Sequence, residues 1–112
     1  MIERIKNAIS LTQAGKYSEA EKIYSELLKE NSDIILIDVR TRDEFRYNHL
    51  DGAVNIPMQD INEKKVQQFV RNKSNVIIVY CEYGGRSKKA LNKLKKMGFV
   101  NVYNLEGGLE AI

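Results

Sequence analysis

Two hydrophobic periods divide the chain. In residues 1–30 apolar positions recur at helical spacing. Ile2, Ile5, Ala8 and Ile9 share one face, Gly15 interrupts, and Tyr17, Ala20, Ile23, Tyr24, Leu27 and Leu28 form a second stripe. This predicts a helical hairpin over residues 1–32, packed on the domain that follows at 33–112. From Ile34 onward the period changes. Ile34-Ile35-Leu36-Ile37 is a short β-branched run of the kind buried on both faces of a sheet. Thr41–Tyr47 predicts a short helix, and Ala53–Ile56 a short strand closed by Pro57. Asp60–Arg71 reads as a helix through Ile61, Val66, Phe69 and Val70, and Val76–Tyr80 is the clearest strand. Ser87–Met97 sets Ala90, Leu91, Leu94 and Met97 on one face and stops at Gly98, before a strand at Val100–Leu105 and the start of a helix at Leu109. Strands alternating with helices predict an α/β fold, an open parallel sheet flanked by helices on both faces.

A chain of 112 residues holds one modest core. Its hydrophobic fraction of 43% and single Pro exclude a disordered or low-complexity protein. The longest wholly apolar run, Val76–Cys81, is too short to span a membrane, and MIERIKNAIS lacks the apolar stretch of a secretion signal. No membrane partner is expected. The only cysteine, Cys81, has no partner for an intrachain disulfide and suits a reducing compartment, so the expected location is cytoplasmic.

The net charge of +3 is too small to imply nucleic acid. Its placement is uneven. Arg86, Lys88, Lys89, Lys93, Lys95 and Lys96 crowd into one segment without an acid, and account for more than the whole positive excess. Most of these form a solvated helix face; their field would also draw anions or an acidic partner towards Cys81. No aromatic residues interleave with them, so no nucleic-acid partner is expected.

The chemistry concentrates where the clearest strand ends. Val76–Tyr80 runs into Cys81-Glu82-Tyr83-Gly84-Gly85-Arg86-Ser87 and then into a helix, and open α/β sheets bind ligands past the carboxyl ends of their strands. Gly84 and Gly85 allow the loop to curl with positive φ and turn amides inward, Ser87 is placed to cap the helix, and the helix dipole points at the same space. With the Arg86 guanidinium, these donors favour a thiolate and predict a lowered pKa for Cys81. The Glu82 carboxylate opposes this unless it faces solvent, which is the expectation. Taken alone, a cysteine at a strand end is a small buried hydrophobe; the loop around this one points to a reactive thiol.

Four segments in register resemble the rhodanese-like sulfurtransferases over residues 33–111. They are Ile35-Leu36-Ile37-Asp38-Val39-Arg40 with Glu44-Phe45; His49-Leu50-Asp51-Gly52-Ala53-Val54-Asn55-Ile56-Pro57; Cys81-x-x-Gly84-x-Arg86-Ser87; and Gly98-Phe99 through Val102 and Leu105 to Gly107-Gly108. The resemblance implies that Cys81 attacks the outer sulfur of a small sulfur-containing anion such as thiosulfate. The resulting persulfide, cradled by the backbone of Glu82–Arg86, passes to a thiol, cyanide or an acceptor protein, with no cofactor. Asn48 stands where the family often has Gly, and the Trp that often follows the closing glycines is missing. Separately, Ala8–Leu28 resembles one tetratricopeptide unit, which makes Tyr17 and Tyr24 a docking surface if the hairpin is not purely structural.

Around the loop, Arg40 and Glu44 are spaced to pair and brace the turn, and Asp38 and His49 are support residues. A Cys81–His49 hydrolase dyad lacks an identifiable orienting acid, and one Cys with one His is too few for a structural metal site, so no metal is expected. The dual-specificity phosphatases and some arsenate reductases share the fold but use Cys-x5-Arg. Here Arg86 gives Cys-x4-Arg, a tighter ring that suits one sulfur atom better than a tetrahedral phosphate. With one cysteine, a persulfide cannot resolve within the chain as a disulfide, so the sulfur leaves to an external acceptor. The alternative to an enzyme is a persulfide carrier or binding module with little turnover.

Overall fold

Strands and helices alternate along residues 34–105, the part of the chain that the computed structural model describes. They are β1 (Ile34–Asp38), α1 (Arg42–Tyr47), β2 (Val54–Asn55), a 3-10 turn at Met58–Asp60, α2 (Glu63–Gln67), β3 (Val76–Tyr80), α3 (Gly85–Lys96) and β4 (Asn101–Asn104). The predicted hairpin at 1–32, the boundary after it and the helix start at Leu109 lie outside the described residues.

The strands form one parallel sheet in the order β2-β1-β3-β4. β1 and β3 occupy its centre, in register from Ile34 opposite Val76 to Asp38 opposite Tyr80. All of β3 is buried, as a central parallel strand must be. On one face Ile37, Val39, Ile77, Val79 and Val102 pack with Val66 and Val70, from α2 and the turn after it, and with Ala90 and Leu94 of α3. Leu36, Ile78 and Tyr80 alternate to the opposite face and are buried as well. Each fully buried aliphatic side chain contributes about 1.5–3 kcal/mol of transfer free energy, so this double-sided core fixes the position of both strand ends. Among the described residues no helix is long and apolar enough to cross a membrane.

Local caps explain where the elements depart from the expected bounds. Thr41 closes a capping box with Glu44, so α1 starts sharply at Arg42. The helix expected over Asp60–Arg71 is shorter, because Pro57 opens a 3-10 turn and the Asn62 side chain accepts the Lys65 N–H at 2.8 Å, starting α2 at Glu63. β2 keeps two of the expected four residues, and β4 runs from Asn101 to Asn104. α3 begins at Gly85, ahead of Ser87, with Gly84 as its cap residue.

Strand order places the site. The chain lays β2 on one side of β1 and then crosses to lay β3 on the other. The carboxyl ends of β1 and β3 therefore flank the point where the order reverses, the usual ligand crevice of an open α/β sheet.

Candidate active site

Cys81 is the first residue after β3 and has no exposed surface. Its Sγ accepts the backbone N–H of Gly84 at 3.0 Å and of Ser87 at 3.3 Å, and the Ser87 hydroxyl lies 3.4 Å away. Burial pushes the thiol up. The Ser87 hydroxyl and the amides of Ser87, Gly84 and Tyr83 outweigh it, so the Cys81 pKa falls below its ordinary value. Cys81 therefore belongs to the core by burial and yet sits in a ring of amide donors, which a purely apolar cysteine does not need.

The loop reaches this geometry differently from the expectation in three respects. Only Gly84 carries a positive φ, 101°; Gly85 is the first residue of α3 and has an ordinary conformation. Ser87 does not cap the helix. It sits in the first turn, where its hydroxyl meets the Gly84 carbonyl at 3.0 Å and the Asn104 side-chain oxygen at 2.6 Å. Arg86 is turned to Glu44, donating Nη1 to Oε1 at 2.7 Å and Nη2 to Oε2 at 3.0 Å. The Arg86 pair, with burial opposing it, holds the Glu44 carboxyl down at about 2. The thiol is thus tuned chiefly by backbone and hydroxyl, while Arg86 ties α3 to α1 and acts on Cys81 through its charge alone, without a hydrogen bond.

The end of β1 supplies the second half of the site. Asp38 and Arg40 are both buried, and the Arg40 guanidinium donates Nη2 to Asp38 Oδ2 at 2.8 Å and Nε to both carboxylate oxygens at 3.1 Å. Burial disfavours the Arg40 charge, but Asp38 more than restores it, so the pKa rises. The same guanidinium reaches Glu82 Oε2 at 3.1 Å, and the oxygens of Asn48. Arg40 therefore does not pair with Glu44, and the Glu82 carboxylate does not face open solvent. The arrangement follows from burial: a sequestered guanidinium has five donors to satisfy, and the loop acid is within reach. Asn55 adds Nδ2 bonds of 3.0 Å to the carbonyls of Asp38 and Arg40. Tyr80 is kept protonated by burial and by Asp38, and its hydroxyl accepts the Leu50 N–H at 3.0 Å.

The chain that carries these features, a strand-borne thiol in an amide cradle beside a buried Asp–Arg pair, is similar to known proteins. A family model for the rhodanese-like domain matches residues 20–112. The chain belongs to the rhodanese-like family. A structure of Escherichia coli described as rhodanese with anions superposes with a TM-score of 0.65 at 35% identity, covering 70% of this chain and 91% of that one. The thiosulfate sulfurtransferase PspE of Escherichia coli is 37% identical over 68% of this rhodanese-like chain and 71% of its own length. A tRNA uridine(34) hydroxylase of Buchnera aphidicola is 35% identical over 85% of this chain, and the adenylyltransferase and sulfurtransferase UBA4 of Meyerozyma guilliermondii is 38% identical over 70% of it. The matches span 31% and 20% of those two larger proteins.

Within this rhodanese-like domain the expected residues gather unevenly. Cys81, Gly84 and Ser87 form the cradle, and Asp38, Arg40 and Glu82 form a network joined to it through the loop. His49 joins neither. It is exposed, its Nδ1 meets the Phe45 carbonyl at 2.7 Å, and its ring stacks on Phe45 at 3.7 Å. Lys88, Lys89, Lys95 and Lys96 form an exposed face of α3. Asn104 and Asn48 were not anticipated. The available signal for Asn104 was its place at the carboxyl end of the strand paired with β3.

Proposed function

We propose that this chain is a sulfurtransferase in which Cys81 carries the sulfur. The observation that carries this reading is the pair of backbone amides, Gly84 and Ser87, aimed at Sγ. The thiolate attacks the outer sulfur of thiosulfate or a similar anion. A new S–S bond forms, the donor S–S bond breaks, and its electron pair leaves with sulfite. An acceptor thiolate or cyanide then attacks the outer sulfur of the persulfide, and the electron pair returns to Cys81. The amides that hold the thiolate are suited to hold the terminal sulfur of the persulfide. Because Cys81 has no exposed surface, a donor reaches Sγ only after the residues that cover it shift.

The names of two relatives, a thiosulfate sulfurtransferase and an adenylyltransferase and sulfurtransferase, support this class of reaction. The Cys-x4-Arg spacing favours sulfur over phosphate, and Glu44 already engages both terminal nitrogens of Arg86, which opposes its use as a phosphate clamp. A lone thiol suits the reducing cytoplasm. The test is cyanide-releasable sulfur on the protein after thiosulfate treatment, present in wild type and abolished in Cys81→Ser. Equal sulfur uptake and turnover in the two proteins overturns the assignment.

The sealed position of Cys81 also favours a second reading, a carrier that opens only against a partner. Slow turnover with small donors and fast exchange with a protein persulfide would distinguish it.

A further inference from the structure

Beside the active loop lies a cleft of about 510 Å³ that the sulfur-transfer steps leave unused. One wall is α1, through Asp43, Glu44 and Tyr47; the other is the loop itself, through Glu82 and Tyr83, with Arg40 between them. Tyr47 is 89% exposed and Tyr83 71%, more than any other large hydrophobic side chain among the described residues. Two uncovered rings facing a cleft next to a nucleophile are a binding feature, since nothing in the fold requires them there.

The charge of the cleft states what it accepts. Three carboxylates line it against one guanidinium. That guanidinium is already taken by Asp38 and Glu82, and Arg86 nearby is taken by Glu44. Among the described residues Asp43 meets Arg46 alone, at 3.6 Å, and both are well exposed, so this pair neutralises little. The lysines of α3 do not line the cleft. Among the described residues an anion entering here finds no unengaged cation; a Lys or Arg side chain finds Asp43, only weakly paired, the outer sides of Glu44 and Glu82, which Arg86 and Arg40 hold, and two exposed tyrosine rings. The volume suits several side chains rather than one small thiol.

We infer that this cleft seats a basic polypeptide segment carrying the cysteine that receives sulfur from Cys81. The inference rests on the sulfurtransferase reading for the transfer step, but not for the binding preference. In that step the partner's thiolate bonds to the outer sulfur of the Cys81 persulfide, the Cys81 S–S bond breaks, and its electron pair returns to Cys81.

The test uses the full chain as Cys81→Ser, with labelled peptides of equal length holding Ser in place of the acceptor cysteine, flanked either by Lys/Arg or by Asp/Glu. Fluorescence anisotropy at low salt is expected to show the basic peptide binding about tenfold tighter, with the preference fading as salt rises. Asp43→Lys combined with Tyr47→Ser brings the two affinities within about twofold. Both positions are surface-exposed, so folding is not at stake. Equal binding of both peptides, or tighter binding of the acidic one or of an RNA oligonucleotide, overturns the cleft assignment. In a second arm, wild type loaded from thiosulfate is mixed with the cysteine-bearing peptides, and mass spectrometry reads one added sulfur. Faster transfer to the basic peptide supports the acceptor role. Preferential binding together with a wild type that never loads overturns the sulfurtransferase reading and the acceptor role, and leaves the binding preference standing.

Discussion

The Ser87 hydroxyl meets the Asn104 side-chain oxygen at 2.6 Å, and the same hydroxyl lies 3.4 Å from Cys81 Sγ. A hydroxyl has one proton to give. While it goes to Asn104 or to the Gly84 carbonyl at 3.0 Å, Ser87 can only accept from the Cys81 thiol; when it turns to Sγ, it stabilises the thiolate. Asn104 is therefore a positioning residue that competes with the sulfur for one proton. Ser87→Ala removes the donor, and alkylation of Cys81 by iodoacetamide at pH 7 should slow about fivefold, the equivalent of one hydrogen bond worth ~1 kcal/mol. Asn104→Ala removes the nearer of the two competing oxygens and leaves only the Gly84 carbonyl, so the proton reaches Sγ more often and the alkylation midpoint shifts to lower pH. Asn104→Asp grips it harder and shifts the midpoint up. Midpoints that move the same way in both Asn104 variants would contradict the competition.

The lowered Cys81 pKa also links to folding. The thiol in the folded protein gives up its proton below the ordinary value of 9.0, and the unfolded chain does so near it. Between the two, the unfolded state binds more protons, so stability rises with pH across that interval. The contribution is fully present above the ordinary thiol value and is lost as pH falls through the folded value. Urea titrations from pH 6 to 9 should show a stability increase in wild type that Cys81→Ala lacks. Parallel curves for the two proteins would place the folded thiol at its ordinary value.

Arg40 is 2% exposed and Asp38 0%, so their ion pair is buried. Truncating one partner leaves the other charge uncompensated at the end of β1 and releases Glu82 from its anchor. Arg40→Met should cost about 3–5 kcal/mol in urea unfolding, and the double variant Asp38→Asn with Arg40→Met should cost less than the single one. A double variant as unstable as the sum of its parts would mean that the pair acts through shape alone.

The legibility of the fold followed the length of each signal. β3 was readable residue for residue because a run of five buried apolar side chains has only one sheet position to occupy. α3 was readable from Ala90, Leu91 and Leu94, but its first turn was not. That turn is set by Gly84 in a left-handed conformation, a backbone property that no side-chain period reports. The cradle was legible as Cys81 followed by glycines, whereas the partners of the arginines were not. Arg40 and Glu44 lie four apart, yet α1 starts only at Arg42, so Arg40 falls outside the helix and turns to Asp38, Glu82 and Asn48. Glu44 then meets Arg86, 42 positions away, through the parallel sheet topology rather than local spacing.

Gly84 and Gly85 are adjacent and chemically identical, but the backbone assigns them opposite tolerances. Gly84 has φ 101°, where a Cβ costs about 1–2 kcal/mol. Relief of that strain turns the Gly84 amide, one of the two that hold Sγ. Gly84→Ala should therefore lower stability by that amount and slow Cys81 alkylation at pH 7. Gly85 has no positive φ, an added Cβ meets nothing within 4 Å, and the residue opens α3. Gly85→Ala should raise stability by up to ~1 kcal/mol, because the unfolded chain loses freedom that the helix never used. Thermal or urea unfolding of the two single variants reads the contrast directly. If both substitutions destabilise equally, the left-handed turn at Gly84 is not what shapes the loop around Cys81.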